Sequence, residues 1–343
     1  MLKSLDTVIL WVREIKTMEY FEIPDGKITK RQHYVPRAYL KNFSFDQQNP
    51  PHVYVVFSNG KESQPVSIEK ICCQSYLYDQ IAVDSDSGAH IFIAPNEIEH
   101  IFSKNESKYA DIISKLTDDL QEKNDFELTV EEIKILQGFM SSLLWRNPNF
   151  VHISNCVVDK LFAQDPEFIR NIQNAVPDVP PNVAISYAAN EFLKEFLFLS
   201  TLAMAKTMED SRFCIFRTSD SVFVTSDMPV VNIYGEEQGI HYDLVGMPIT
   251  PELFVAFIDA ECDIPKVLPI DSRIVRRINS RQQKPKSTLI SNRKELLSYI
   301  DSSYDYEEDD DEEQFMQLLE PDKETILKEY REIMDSERIK YWK

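Results

Sequence analysis

The chain has 343 residues, of which 43% are hydrophobic, and its 37 basic and 57 acidic side chains give a formal net charge of -20. This length and apolar content allow a large buried core in one or two domains. The longest apolar runs, such as VILWV and VYVVF, are far shorter than the ~20 residues that a membrane helix needs. We therefore expect a soluble globular protein that has no membrane partner.

Short signatures disfavour several kinds of site. The five cysteines form no CxxC pair, which argues against a zinc or disulfide framework, and the seven glycines form no GxGxxG or Walker loop for a nucleotide. The first segment, MLKSLDTVILWVREIKTM, carries charges around its apolar stretch and lacks a small-residue cleavage site. It does not resemble a secretory signal, so we expect a cytoplasmic location.

The first predicted element after the N-terminal stretch is a hairpin. The segment HVYVVFSNGKESQPVSI, residues 52–68, has two strand-like runs around Asn59-Gly60, a dipeptide that supplies the positive φ angles of a tight turn. Apolar residues at helical spacing then predict five helices, over residues 96–121, 130–145, 155–164, 167–176 and 182–208. A capping box of Thr129 and Glu132 begins the second helix, and the breaker PDVPP separates the fourth from the fifth.

After these helices the apolar pattern changes to period two. The runs RFCIFRT, VFVTS, VVNIY, FVAFID and KSTLIS, between residues 212 and 291, predict a largely antiparallel sheet, and residues 324–342 predict a C-terminal helix. The order indicates an α+β fold in which a helical middle region packs on a largely antiparallel β-sheet, with an N-terminal hairpin and a C-terminal helix. We expect an extension over residues 1–26, one domain over 27–297, and an acidic linker with a helix over 298–343.

Two oppositely charged stretches lie close together in the sequence. Residues 301–313, DSSYDYEEDDDEE, hold nine acidic side chains and no basic one, whereas residues 266–294 hold nine basic side chains and the single acid Asp271. The basic stretch could contact phosphates and be masked by the acidic run until a target displaces it. Alternatively, it is a solvated charged face followed by a linker.

Six motifs carry a family resemblance. They are QHYVPRAYLKNF at residues 32–43, Glu106 in FSKNESKY, Arg146 to Pro148 in WRNP, FVTSDMPV, MPITP, and Asn279 in VRRINSR. In this order they resemble the bacterial Domain of Unknown Function 4238 family. The resemblance implies an uncharacterised α/β fold, without any catalytic assignment, and association of some relatives with anti-phage defence implies a defence effector.

The opening motif combines His33 and Arg37 around Pro36. Proline suits the first turn of a helix, so we expect Arg37 just inside a helix and His33 in the loop before it. Imidazole can accept or donate a proton near neutral pH, and guanidinium binds phosphate or carboxylate with two donors. The alternative is that His33 is a hydrogen-bonded packing residue and that the neighbouring rings belong to the core.

Two further segments contain polar residues with two interpretations each. Asp227 follows an apolar strand and precedes Met228-Pro229, so its carboxylate could serve a site or cap the turn. Ser226 lacks the surroundings of a nucleophile elbow. The segment RNPNFVH resembles the Arg-Asn-x(n)-His motif of HEPN-type ribonucleases, in which Arg146 would stabilise charge and His152 would move a proton, although Pro148 would kink a continuous helix.

The sequence thus predicts a site without naming its reaction. The candidate catalytic residues are His33, Arg37, Glu106, Arg146 and Asp227. The candidate substrate-binding residues are Gln32, Tyr34, Asn42, Arg276, Arg277 and Asn279. The cofactor is unknown, and a divalent metal ion is one option because distant His, Glu and Asp side chains could converge on it.

The hypothesis that these residues favour is an anti-phage effector enzyme that acts on a phosphate-containing substrate such as nucleic acid. His33 would transfer a proton, Arg37 and Arg146 would hold phosphate, and Glu106 and Asp227 would orient His33 or bind a divalent ion. The alternative is a non-catalytic sensor or binding module that recognises a phage protein or a small ligand. The sequence does not indicate an oligomeric state.

Overall fold

The computed structural model of the chain describes residues 28–298, apart from 58–62, 84–87, 89, 159–165, 176–178, 238–239, 261, 263 and 284–286. Four predictions fall outside the described residues: the extension over 1–26, the Asn59-Gly60 turn, the acidic run, and the C-terminal helix.

The N-terminal part contains six short strands and a short helix. β2 and β3 pair antiparallel with Val53 opposite Val66, which confirms both strands of the predicted hairpin. β1 pairs with β4, and β5 pairs with β6. The elements are β1 (Arg31–His33), α1 (Arg37–Leu40), β2 (His52–Val56), β3 (Gln64–Ser67), β4 (Cys73–Ser75), β5 (Gln80–Val83) and β6 (His90–Ile93).

Within the described residues the middle region has five helices, of which four match the predicted ones and the remaining prediction, over 155–164, overlaps α4 only at residues 155–158: α2 (Glu97–Glu122), α3 (Val130–Trp145), α4 (Pro148–Val158), α5 (Pro166–Ala175) and α6 (Pro181–Thr207). The capping box that begins α3 is present, with reciprocal bonds between Thr129 and Glu132. The prediction of a helix beginning at residue 155 was wrong: α4 begins at Pro148, since proline fits a first helical turn, where no backbone donor is needed. No helix within the described ranges is long and apolar enough to cross a membrane.

The C-terminal part contains a five-stranded sheet in the order β12-β7-β11-β10-β9, in which only the β12–β7 pair is parallel. A second, antiparallel sheet has the order β3-β2-β13-β8, so it joins the N-terminal hairpin to the end of the chain. The elements are β7 (Arg212–Arg217), β8 (Thr225–Ser226), β9 (Val231–Glu237), β10 (Ile240–Pro248), β11 (Leu253–Ile258), β12 (Val267–Pro269), α7 (Ser272–Gln282) and β13 (Leu289–Ser291).

These elements confirm the α+β class and add details that the sequence patterns did not predict. β10 and α7 were not predicted, and the run VFVTS contributes only the two residues of β8. Asp271 caps α7 by accepting hydrogen bonds from the backbone N–H groups of Arg273 and Ile274. Much of the basic stretch is therefore the outer face of an amphipathic helix.

The main core joins the opening motif to the helices and to the large sheet. The ring of Tyr109 on α2 stacks on Phe139 of α3 with centroids 3.7 Å apart, and Tyr39 of α1 packs beside it. The Tyr39 hydroxyl donates to the carbonyl of Pro248 at 2.7 Å and shares a second 2.7 Å hydrogen bond with Thr225. The aromatic residues of the opening motif are thus core residues, and this packing fixes α1 relative to α2.

Candidate active site

A cleft of about 640 Å³ lies between β1 and α1 on one side and α2 on the other. We call it the β1–α2 cleft. Its ionisable lining residues are Arg31 and His33 from β1, Arg37 from α1, Glu69 from a 3-10 turn, and Glu99 and Glu106 from α2. Charged side chains of both signs therefore line one open cleft.

Local periodicity explains why these side chains share the cleft. Arg31 and His33 alternate with the buried Gln32 on a strand, so they point to the same face. Glu99 and Glu106 are seven residues apart on α2, two helical turns, and Ser103 lies between them on the same face. One face of the strand β1 and one face of the helix α2 thus form the two walls of the cleft.

A hydrogen-bond network holds the two walls together. Gln32 on β1 donates to Asp79 at 2.8 Å, and the other Asp79 oxygen accepts from the backbone of Asn96 at 3.0 Å. The Asn96 side chain, at the N-cap of α2, accepts from the backbone N–H of Thr29 at 2.7 Å. These bonds fix the start of α2, which carries Glu99, against β1, which carries His33.

Arg146, the C-cap of α3, lies beneath the cleft. Its Nη2 donates to Glu106 Oε1 and to the backbone carbonyl of His33, both at 2.8 Å. Its guanidinium carbon lies 4.0 Å from the ring centroid of Phe102, and the Tyr78 hydroxyl donates to its backbone carbonyl at 3.1 Å. The Arg146 side chain is only 1% exposed. Arg146 therefore orients Glu106 and His33 and presents almost no surface to the cleft.

The side chain of His33 is held neutral. Its pKa is lowered to about 4, mainly by burial and then by the charges of Arg37 and Arg146, while a hydrogen bond with the Ile68 backbone and the charge of Glu69 act in the opposite direction. Its Nε2 is buried and makes no hydrogen bond. Burying a polar atom without a partner costs ~1–3 kcal/mol, so this nitrogen destabilises the fold unless another group bonds to it.

Glu99 has the complementary property. Burial raises its pKa to about 7, although the Arg146 charge lowers it, and Glu106 and Asp79 add to the increase. Its Oε2 is also buried and makes no hydrogen bond. Glu99 can therefore hold a proton close to neutral pH, which an exposed glutamate cannot do.

Two exposed arginines, Arg31 and Arg37, line the cleft together with the exposed Glu69. Arg37 forms an ion pair with Glu69 at 3.2 Å, and the two side chains are 58% and 46% exposed. Such an exposed pair is weak, ~0–1 kcal/mol, so an incoming anion can compete for the guanidinium. Arg31 lines the same cleft and is also exposed.

Of the predicted catalytic residues, the structure brings His33, Arg37, Glu106 and Arg146 together and leaves Asp227 outside the cleft lining. Asp227 Oδ1 accepts a hydrogen bond from the backbone of Thr288 at 3.0 Å, and Asp227 N donates to the Thr288 carbonyl at the same distance. The carboxylate thus joins the turn after β8 to the residue that precedes β13. The local bond in this turn is accepted by Ser226 Oγ, from the backbone N–H of Met228, so these bonds do not show Asp227 capping its own turn.

Ser226, the neighbour of Asp227, belongs to a group of buried polar side chains that attach α7 to the sheet. Ser226 Oγ donates to Gln282 Oε1 at 2.8 Å, and Gln282 Nε2 donates to the carbonyl of Pro229 at 2.8 Å. Asn279 accepts from the backbone of Val224 at 3.0 Å and donates to the carbonyl of Val222 at 2.9 Å. We call Ser226, Asn279 and Gln282 the α7 joint. All three are buried, so Asn279 has a structural role here.

The remaining predicted substrate-binding residues also lie outside the cleft lining. Gln32 belongs to the network described above, and Asn42 donates to the carbonyl of Ile249 at 3.0 Å. Tyr34 packs against two hydrophobic clusters, and burial raises its pKa well above the usual range. Arg276 is exposed and Arg277 partly exposed on the outer side of α7.

The ribonuclease-like motif is divided between two helices. Arg146 caps α3, whereas His152 lies on α4 after the Pro148 that begins it, and its side chain is exposed. The two residues therefore do not share one continuous helix, which is the arrangement that the motif requires. Among the described residues, no group of three or more His, Cys, Asp and Glu side chains is placed to hold a metal ion.

Glu99, Glu69 and Arg31 are cleft residues that the sequence interpretation missed. Glu99 has one available signal, because it precedes Glu106 by two helical turns on α2 and so shares its face. That signal is weak, since α2 carries many acidic residues and only the approach of β1 makes this one buried.

The chain is an α+β protein with a cleft, lined by acidic and basic side chains, between its first strand and a long helix. A family model described as "Protein of unknown function (DUF4238)" matches residues 31–295, most of the chain, and the chain belongs to this family. A search of curated proteins and a search of solved structures each gave no match.

Proposed function

We propose that the chain is an enzyme that performs general acid–base catalysis on a phosphate-containing substrate, with nucleic acid as the leading candidate, in the β1–α2 cleft. One observation carries this proposal: His33 and Glu99 line the same cleft, and each has one buried polar atom, Nε2 and Oε2, without a hydrogen-bond partner. Two unsatisfied polar atoms destabilise a folded protein, and such costs are typical of sites built for a ligand.

The exposed arginines that line the cleft support phosphate as the recognised group. Arg37 and Arg31 face the cleft and are exposed, and guanidinium groups bind phosphate oxygens with two parallel donors. The exposed Glu69 competes for Arg37 only weakly. An anion that displaces Glu69 would lie beside His33.

Each proposed residue has a distinct role. His33 accepts a proton, Glu99 donates one, and Arg37 holds the phosphate. Arg146 and Glu106 act as positioning residues, because Arg146 bonds the backbone of His33 and the carboxylate of Glu106 from beneath the cleft. This differs from the prediction that Arg146 binds phosphate directly, since its side chain is 1% exposed. Asp227 has no role in the proposal.

We propose anti-phage defence as the biological setting, supported only by the resemblance of the opening motif and the Ser-Asp-x-Pro motif to relatives associated with it. In that setting the nucleic-acid substrate would come from the host cell or from the phage. The exposed Arg276 and the partly exposed Arg277 offer a second basic surface that could hold a long polyanion.

The experiment that tests the proposal is a turnover screen with the purified full chain. RNA, single- and double-stranded DNA and a nucleotide mixture are incubated with Mg²⁺ or with EDTA, and products are resolved by chromatography. The proposal is supported if at least one substrate is cleaved and if the cleavage rate falls roughly 10²–10⁴-fold in both His33→Gln and Glu99→Gln. His100→Gln and Glu122→Gln are matched controls, because both side chains are exposed on α2.

Two outcomes contradict it. If no phosphate-containing substrate is turned over, the chain is not such an enzyme, and measurable binding without turnover would favour the sensor or binding module. If a substrate is turned over equally by both cleft variants and by the wild type, the activity belongs elsewhere in the molecule.

A further inference from the structure

We propose that the acidic run, residues 301–313, binds a basic face of α7 in its own chain, so that a polyanion must displace the run to reach that face. The α7 basic face consists of Arg273, Arg276 and Arg277, which lie at positions i, i+3 and i+4 of the helix and therefore share one side. None of the three lines the β1–α2 cleft, and the inference does not depend on the reaction proposed there.

The packing of α7 directs this face away from the sheet. The apolar and joint residues of the helix are buried, whereas Arg273 and Arg276 are exposed and Arg277 is partly exposed. The side chain of Arg273 is 83% exposed although it pairs with Asp271 at 2.9 Å. The helix carries four arginines and no acidic residue. In a chain with a net charge of -20, this face is therefore a local excess of positive charge.

The described part of the chain ends next to the residues that hold α7. Its last element is a 3-10 turn, Glu295–Ser298, in which Leu297 is buried and packs with Val224. Asn279 of α7 accepts a hydrogen bond from the backbone N–H of the same Val224 at 3.0 Å. Ser298 therefore lies one residue after a side chain that packs on the attachment point of α7.

The lengths of the two segments allow the contact. Only residues 299 and 300 separate Ser298 from the acidic run. An extended chain covers ~3.3–3.6 Å per residue, so the thirteen residues of the run can span ~43–47 Å. The eleven residues of α7 are ~16 Å long at 1.5 Å per residue. The run is thus long enough to follow the whole face without any change in the described fold.

The charges of the two segments are complementary, and the covalent connection favours the run of the same chain. The run has nine acidic side chains and no basic one. Individual exposed ion pairs are weak and are screened by salt, so such a contact is difficult to maintain between separate molecules. A segment that is tethered close to its target has an effective concentration on the order of 1 mM, which populates a weak contact within one chain.

The first arm of the test observes the α7 basic face directly. The full chain is labelled with ¹⁵N-arginine, and the side-chain Nε–H signal of Arg276 is assigned by its loss in Arg276→Lys. The wild type is compared with a variant in which the nine acids of the run are replaced by Asn or Gln. At low salt the Arg276 signal should differ between the two proteins, and the signal of Arg170, which is exposed on α5, should not. Identical Arg276 signals would overturn the proposal.

The second arm separates a local contact from general repulsion, with polyphosphate as the probe. A dissociation constant of about 0.1 mM for the separate run would give ~10-fold tighter polyphosphate binding once its acids are neutralised. This gain should be much smaller in an Arg276→Glu background and complete in an Arg170→Glu background. An equal gain in all three backgrounds would mean that the run only repels the probe from a distance. The absence of a gain in the wild-type background would mean that the face is uncovered, and either result would overturn the proposal.

The third arm distinguishes the acidic run of the same chain from that of a second copy. The Arg276 signal of the wild type is followed over a tenfold dilution at constant salt. We expect no change, because a contact within one chain does not depend on protein concentration. A signal that moves on dilution toward that of the neutralised variant would assign the face to a neighbouring molecule and overturn the proposal.

Discussion

The β1–α2 cleft and the α7 joint are both rich in motif residues with polar side chains, yet they differ in how those side chains are satisfied. In the joint, Asn279 and Gln282 form hydrogen bonds with backbone groups and with Ser226. In the cleft, His33 and Glu99 each bury an atom without a partner. The comparison teaches that membership of a motif does not by itself give a residue its role, because Asn279 completes its hydrogen bonds within the fold whereas His33 leaves one buried nitrogen without a partner.

The largest loss of stability should follow from Arg146→Met. Such a loss would show that the hydrogen bonds beneath the cleft also stabilise the fold. The change leaves the Glu106 carboxylate and the His33 carbonyl without their donor, and such losses cost ~3–5 kcal/mol in the free energy of unfolding. Urea denaturation measures the difference. Arg170→Met is the control, because Arg170 is exposed on α5 and its loss should change stability by less than ~0.5 kcal/mol. Equal stability of the two variants would mean that Arg146 does not anchor the cleft.

The next largest effect should come from the joint. Asn279→Ala leaves the buried backbone N–H of Val224 and carbonyl of Val222 unpaired, so we expect a loss of ~2–3 kcal/mol by urea denaturation. Arg276→Ala, on the exposed side of the same helix, should be nearly neutral. If Asn279→Ala kept full stability and lost only substrate turnover, the joint would be a functional site and the comparison would fail.

The pH dependence of stability should separate His33 from Glu99. Because the pKa of Glu99 rises from 4.5 to about 7 on folding, the folded state binds more protons between these values, and its stability falls as pH rises. Because the pKa of His33 falls from 6.5 to about 4, the folded state binds fewer protons in that window, and its stability rises with pH. In the wild type the two contributions oppose each other.

Single substitutions should separate the contributions of Glu99 and His33 to the pH dependence of stability. Relative to wild type, Glu99→Gln should gain ~2 kcal/mol as pH is raised from about 4.5 to about 7, and His33→Gln should lose a similar amount between about 4 and 6.5. Urea denaturation at half-unit pH intervals measures both differences. Parallel curves for the wild type and both variants would show that neither group has a shifted pKa.

The smallest effect on stability should follow from Arg37→Ala. Its exposed ion pair with Glu69 contributes ~0–1 kcal/mol, so the melting temperature should hardly change. The Michaelis constant for the substrate found in the turnover screen should rise, since this exposed guanidinium of the cleft would bind its phosphate. A loss of stability without a change in the Michaelis constant would place Arg37 with the structural residues of the joint.

The sequence predicted the fold wherever local signals were strong. The capping box at Thr129 and the helical spacing in α2 gave both helices nearly to the residue. The helix α7 was missed because eight of its eleven residues are charged or polar, and its apolar face is only Ile274, Val275 and Ile278. Its basic side chains concealed the periodicity.

The candidate site was predicted in part for a similar reason. A motif of uncommon residues marked His33 and Arg37, and both line the cleft. Glu99 could not be separated from the other acids of α2, because its burial depends on β1, which is distant in sequence. Asp227 and Asn279 were predicted as site residues because a motif does not show whether the hydrogen bonds of its polar groups are complete.

The most direct test of the account is a ¹³C NMR titration of the Glu99 carboxyl in the full chain, assigned by loss of its signal in Glu99→Gln. The account predicts a midpoint near pH 7. A midpoint near the ordinary value of 4.5 would show that Glu99 is ionised at neutral pH and would contradict its role as an acid in the cleft.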